Sequence, residues 1–238
     1  MAKRVLLVRG GSLGRNTGLG AAHHNLVDLL ESGKVDGWQL AGICEYQLEK
    51  TSNPISRIWQ RWFAHPKRVA KEINRLVSNN QCDLVHITDQ EQGHLMPKNC
   101  PVPGIITVHD LFHLFPEHLR FSDEVIAVGD TKPGIVRRRD LQKLKAGINR
   151  ANHLLCNSKH TLEAAEQHFP TVAASRVPLG IESAKYHPDN NQPIKLDLPD
   201  KCNFLVVGRN DPRKRMNFLC NVIAGLPDMS CRQIHIRH

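Results

Sequence analysis

Gly10, Gly11 and Gly14 follow the first apolar run of the chain, and Gly18 and Gly20 stand just before a helical pattern. Glycines between a strand and a helix let backbone N–H groups approach a phosphate closely, and the helix dipole favours the anion. A flexible turn with no ligand explains the same residues. Strict G-x-G-x-x-G fails, because His23 stands where the third glycine should be, and G-x-x-x-x-G-K-[ST] does not occur. A Walker-type nucleotide triphosphatase is therefore not expected.

Ile105–Val108 is a second apolar run, and His109 and Asp110 follow it where open α/β sheets place ligand-contacting groups. His113 and His118 continue the stretch TVHDLFHLFPEH. On a helix, His109 and His113 would share a face at i, i+4 and could chelate a metal. No third ligand is evident and Pro116 limits any helix, so no metal is expected. His109 reads instead as a polar substrate contact, or as a satisfied structural histidine. Further on, Arg209 follows the run Phe204–Val207, and Lys214 stands before a helical pattern. Cations converging with a helix N-terminus suit a diphosphate; a surface charge run is the plainer alternative.

The elements that must position these groups alternate short apolar runs with helical patterns, which predicts a parallel sheet covered on both faces. Candidate strands are Arg4–Val8, Gln39–Ile43, Asp83–Ile87, Ile105–Val108, His153–Cys156 and Ser175–Val177. Helical stretches lie around 20–31, 55–79, 134–150 and 159–168. Runs such as VLLV and GIITV are the near-continuous kind expected of buried parallel strands. A doubly wound, Rossmann-like α/β domain over 1–186 is the economical solution. The segment 187–200, with three prolines, reads as an interdomain linker. Residues 201–238 then open a second domain, with a strand at Phe204–Val207 and a helix at Met216–Ala224, too short to bury a core alone.

Ile55, Ile58, Trp59, Trp62 and Phe63 recur at helical spacing. Pro66 breaks that stripe, and Val69, Ile73, Leu76 and Val77 resume it in a second helix. Arg57, Arg61, Lys67, Arg68, Lys71 and Arg75 decorate the polar side. Tryptophan beside arginine suits a helix lying on a membrane surface. The plainer reading packs the stripe on the sheet and leaves the charges solvated. A second basic face, from Arg137 to Arg150, is expected to be solvated.

A net charge of +9 favours an anionic partner: nucleic acid, an anionic membrane surface or a phosphorylated small molecule. The basic helices carry no nucleic-acid recognition motif, so nucleic acid is not expected. The seven cysteines include no C-x-x-C pair, which argues against a zinc ribbon or a thioredoxin-like site and for buried reduced thiols. No run approaches the ~18 apolar residues of a membrane span, and Val5 to Val8 is too short for a signal-peptide core. The expectation is a cytoplasmic protein, at most peripheral at the inner membrane face through 55–79.

Taken in order, these segments resemble retaining glycosyltransferases of the GT-B fold, the family 4 or group 1 type. NTGLGAAHHNLVDLL resembles that family's glycine loop and first helix. DLVHITD is similar to its D-h-h-H-h strand end, and TVHDLFHLFPE to its T-h-H-D-h-x-x-L-x-P segment. ANHLLCNSKHTLEAAEQHF resembles the A-D-x-h-h-x-x-S-x-x-T helix entry, VPLGIESAKYHP the bridge between domains, and VVGRNDPRKRMNFL the start of the donor domain. Departures are Asn152 for an aspartate, Leu179 and Glu182 for asparagine and aspartate, and Tyr186 for phenylalanine.

The resemblance implies transfer of a sugar from a nucleotide-sugar donor to a carbohydrate or lipid-linked acceptor, with retention. It implies His109 as the catalytic contact, Gly18, Gly20, Arg209 and Lys214 at the donor phosphates, and His86 and Asp110 as acceptor or sugar contacts. No cofactor or metal is implied, because the cations stabilise the leaving group. The family's E-x7-E motif would lie beyond residue 238, so the resemblance implies a truncated donor domain and a chain with little or no turnover. Two charge-assisted contacts would contribute roughly 1.5–3 kcal/mol each, which corresponds to millimolar donor affinity or somewhat better. A non-enzymatic relic serving as a binding or membrane-surface module is the alternative. An unrelated dinucleotide enzyme is disfavoured by the missing third glycine.

Overall fold

The computed structural model describes residues 2–47, 53–121, 124–180, 183, 187–192, 203–207, 214–225 and 233–237. Each expected apolar run forms a strand. In chain order the elements are β1 (Lys3–Gly11), α1 (Gly18–Glu31), β2 (Trp38–Tyr46), α2 (Pro54–Trp59), a π turn (Gln60–Ala64), α3 (His65–Ser78) and β3 (Leu84–Ile87). A 3-10 turn (Gln90–Leu95), β4 (Gly104–Val108), β5 (Glu117–Phe121), β6 (Glu124–Val128) and α4 (Ile135–Ile148) follow. Then come β7 (His153–Cys156), α5 (Lys159–His168), β8 (Ala173–Arg176), β9 (Asn203–Val207), α6 (Met216–Ala224) and β10 (Gln233–Arg237). The contacts divide the chain into two units, Met1–Phe115 with Lys132–Leu179, and Pro116–Thr131 with Gly180–His238.

The first unit holds a six-stranded parallel sheet in the order β2-β1-β3-β4-β7-β8. Successive residues of a strand point to opposite faces, and β1 uses both. Val5 and Leu7 pack with Val27 and Leu30 of α1. Leu6 and Val8 join Val69, Ile73 and Leu76 of α3 and Leu144 and Ile148 of α4 in the larger core. Helices thus cover both faces, and the unit is a doubly wound α/β layer structure. The strand order reverses between β1 and β3, which opens a crevice beyond their carboxyl ends.

Thr17 caps α1, its hydroxyl accepting from the Gly20 N–H at 3.1 Å. Gly20 is required there, since a Cβ would overlap the Gly14 carbonyl oxygen. Asn152, where the resembling family has aspartate, secures the start of β4. Its side chain accepts from the Gly104 N–H at 2.8 Å, and its own N–H donates to the Gly104 carbonyl at 2.8 Å.

Helix 54–78 departs from expectation twice. Pro66 does not end the stripe. The π turn before it widens the backbone, with the His65 N–H reaching the Gln60 carbonyl, and Pro66 enters the first turn of α3. That relieves the clash and lost bond a proline imposes inside a regular helix. Nor does the whole stripe pack on the sheet. Val69, Ile73 and Leu76 are buried, whereas Ile55, Trp59 and Phe63 are exposed.

The second unit contains a hairpin and a parallel pair. The stretch Glu117 to Val128, for which no strand is predicted, pairs β5 with β6 antiparallel. The tail, which departs from the resembling family, forms β10 in parallel register with β9, Gln233 opposite Asn203. Helix α6 joins them, as a parallel pair requires.

Cys44, Cys82 and Cys156 are buried free thiols, and Cys202 and Cys231 lie outside the described residues. Among the described residues, no helix is long and apolar enough to cross a membrane.

Candidate active site

Thr88, just past β3, is the hub of the crevice. Its N–H donates to the Val8 carbonyl at 3.2 Å, which fixes it to β1. Its hydroxyl meets His23 Nδ1 at 3.0 Å, and its carbonyl meets His109 Nε2 at 3.2 Å. A carbonyl only accepts, so in the neutral ring the proton sits on Nε2 of His109 and the lone pair on Nδ1. Two further bonds fix the backbone of His109. Its N–H donates to Gln90 Oε1 at 2.9 Å, and its carbonyl accepts from the Thr161 hydroxyl at 3.3 Å. The imidazole is thus held by the residue after β3, and its backbone by the 3-10 turn and α5. Residues after His109 form a turn rather than a helix, so His109 and His113 do not share a helical face.

His86 lies at the same end of the sheet, with Nε2 2.8 Å from the Thr107 hydroxyl. Burial pushes its pKa down to about 4, and the neighbouring His23 and His109 act the same way. His23 is likewise lowered to about 4 by burial, then by Arg9 and His24. Both rings are thus neutral near pH 7. Both are buried, so they place polar groups without charge behind the crevice.

Arg9 and Asp89 lie beneath this layer, 2% exposed each, with Arg9 Nη2 3.7 Å from Asp89 Oδ2. Burial pushes the Asp89 carboxyl up and the Arg9 guanidinium down, each opposed by its partner. Arg9 Nε donates to the Gly11 carbonyl at 3.1 Å, and Asp89 accepts from the Glu91 N–H at 2.9 Å. The pair ties the glycine loop to the 3-10 turn. His24 of α1 also holds the loop, with Nε2 2.8 Å from the Leu13 carbonyl.

The glycine loop itself ends in the first turn of α1. Among the described residues, Thr17 engages the Gly20 N–H, while those of Gly18 and Leu19 face no protein acceptor. A Cβ on Gly18 would meet nothing, so the backbone there is open to a ligand. The first turn of α1 carries no acidic side chain to compete with an anion.

Of the residues singled out by sequence, Gly18, Gly20, His86, His109 and half-buried Asp110 come together at the carboxyl edge of β1, β3 and β4. Lys214 is exposed, just before α6 in the second unit, and Arg209 lies outside the described residues. Sequence reasoning missed His23, Thr88, Asp89, Gln90 and Arg9. His23 carried a usable signal: Gly20, His23, Val27 and Leu30 share the buried face of α1. Among the described residues, no group of three or more His, Cys, Asp or Glu could hold a metal ion.

No protein-family model matches the chain, and no curated protein does. Several solved structures are similar to it at low sequence identity. A UDP-glucosyltransferase from Polygonum tinctorium capable of glucosylating indoxyl is 12% identical, with a TM-score of 0.49 over 87% of this chain and 60% of its own. UGT2 of Phytolacca americana is 13% identical, with a TM-score of 0.49 over 88% of this chain and 61% of its own. The lipopolysaccharide outer core galactosyltransferase WaaB is 14% identical, with a TM-score of 0.48 over 98% of this chain and 60% of its own. The chain thus spans about 60% of the length of the structures it resembles.

Proposed function

We propose that this chain carries the acceptor-side domain of a GT-B glycosyltransferase, which moves a sugar from a nucleotide sugar to an acceptor with retention. The observation that carries this reading is the held imidazole of His109. Its Nε2–H is committed to the Thr88 carbonyl, which leaves Nδ1 to accept from a sugar hydroxyl at the crevice. Neutral His86 lies behind it, and half-buried Asp110 beside it adds polar groups suited to sugar hydroxyls. The open N–H groups of Gly18 and Leu19 suit a phosphate oxygen.

In this reaction the C1–O bond to the diphosphate breaks as a bond forms between C1 and an acceptor oxygen. The acceptor proton leaves with the departing diphosphate. Arg209 and Lys214 are the cations proposed to offset the charge that develops on it, so no metal step is needed.

Isothermal titration with UDP-glucose, GDP-mannose and NAD tests the reading. At least one nucleotide sugar should bind with millimolar affinity or better, and Lys214→Ala should weaken it about tenfold. Tighter binding of NAD than of either nucleotide sugar would contradict it. A second reading, a binding or membrane-surface module without turnover, is favoured by a separate observation: the exposed apolar face of α2.

A further inference from the structure

Helix α2 and the π turn face the first turns of α4 across a groove of about 500 Å³. Its apolar wall comes from Ile58, Trp62, Ile135 and Val136. Beside it Ile55 is 79% exposed, Trp59 60% and Ile135 74%, while Trp59 and Phe63 stack with centroids 5.1 Å apart. Scattered apolar surface residues are ordinary, but a contiguous aromatic and aliphatic face calls for a partner.

The charges around this face choose the partner. Between residues 53 and 78 the sole carboxylate is Glu72, which is bound to Arg75 at 2.7 Å. Between 132 and 150 the sole carboxylate is Asp140. Asp140 is buried and already takes Arg61 at 2.8 Å, Arg137 at 2.9 Å and the Trp62 indole N–H at 2.9 Å. The Lys143 ammonium lies 5.5 Å from the Trp62 ring centroid and 5.7 Å from that of Phe63. Arg138 and Arg139 are exposed on the same helix. A second copy of this chain would bring cations against cations. An anionic lipid leaflet accepts both the aromatic side chains and the cations that flank them.

We propose that this two-helix face docks on an anionic membrane surface. Ile55, Trp59, Phe63 and Ile135 enter the boundary between headgroups and acyl chains, and Lys143, Arg138 and Arg139 lie among the headgroups. The contact ends at Phe63, because the apolar residues of α3 are already buried against the sheet. The proposal names the partner of the second reading above and stands whether or not the chain transfers sugar.

Co-sedimentation with vesicles of equal parts phosphatidylglycerol and phosphatidylcholine tests it, beside vesicles of phosphatidylcholine alone. The chain should bind the anionic vesicles at low salt and lose most of that binding at high salt. Trp59→Ala and Ile135→Ser should each weaken partitioning about tenfold while the thermal melt stays unchanged, since both side chains are exposed. Lys143→Glu should weaken it at least as much, and Lys34→Glu, the same charge change after α1, far less. Equal binding by wild type and both apolar variants would overturn the proposal. So would failure to bind anionic vesicles, or concentration-dependent dimerisation that Trp59→Ala abolishes.

Discussion

Thr88 concentrates most of the site's geometry in one side chain and the two peptide groups that flank it. Thr88→Val keeps the shape but leaves His23 Nδ1 buried without its 3.0 Å partner, at a cost of about 1–3 kcal/mol. Thr88→Ser should restore most of that, and urea melts of the two variants check it. The buried histidines make stability depend on pH. His23 and His86 have pKa values of about 4 and His94 about 3, all lowered chiefly by burial, against an ordinary value near 6.5. The unfolded chain therefore binds more protons in between. This stabilisation is fully present above about pH 6.5 and is lost as pH falls toward 4, by up to ~3 kcal/mol for each such ring. Unfolding midpoints across that range should show the loss, and His86→Gln should remove the share that His86 contributes. His109 was legible in the sequence because it follows an apolar run. Thr88 was not, because its part depends on register: only the alignment of Val8 with Ile87 brings it beside β1.

At the level of elements, apolar runs located the inner strands of the parallel sheet, which are buried on both faces, whereas the exposed edge strand β8 (Ala173–Arg176) only overlaps the expected Ser175–Val177. Such runs did not reveal β5 and β6: β5 (EHLRF) interleaves charged and apolar residues, and the apolar run of β6 (EVIAV) is only four residues long. Pro66 misled for a related reason, since periodicity assumes a constant turn and a π turn changes it locally. One close approach is exacting. A Cβ on Gly147 of α4 would overlap the Gly93 carbonyl of the 3-10 turn that supports Gln90 and Glu91. Gly147→Ala should cost about 1–3 kcal/mol, as overpacked cores do, although alanine favours a helix. Its thermal melt should fall well below that of an Ala substitution at exposed Gly18, whose Cβ meets nothing.

For the whole molecule, the strand reversal between β1 and β3 gathers groups that are far apart in sequence, from Gly18 to Thr161, at one edge of the sheet. The motif order suggested that assembly, and the hydrogen bonds through Thr88 and Gln90 give it a rigid form. The most direct test is amide and imidazole NMR on isotope-labelled protein during titration with UDP-glucose and GDP-mannose, with NAD as the comparison. The account predicts that a nucleotide sugar shifts the Gly18 and Leu19 amides and the His109 ring together at millimolar concentration. Shifts confined to other regions, or the same response to NAD, would contradict it.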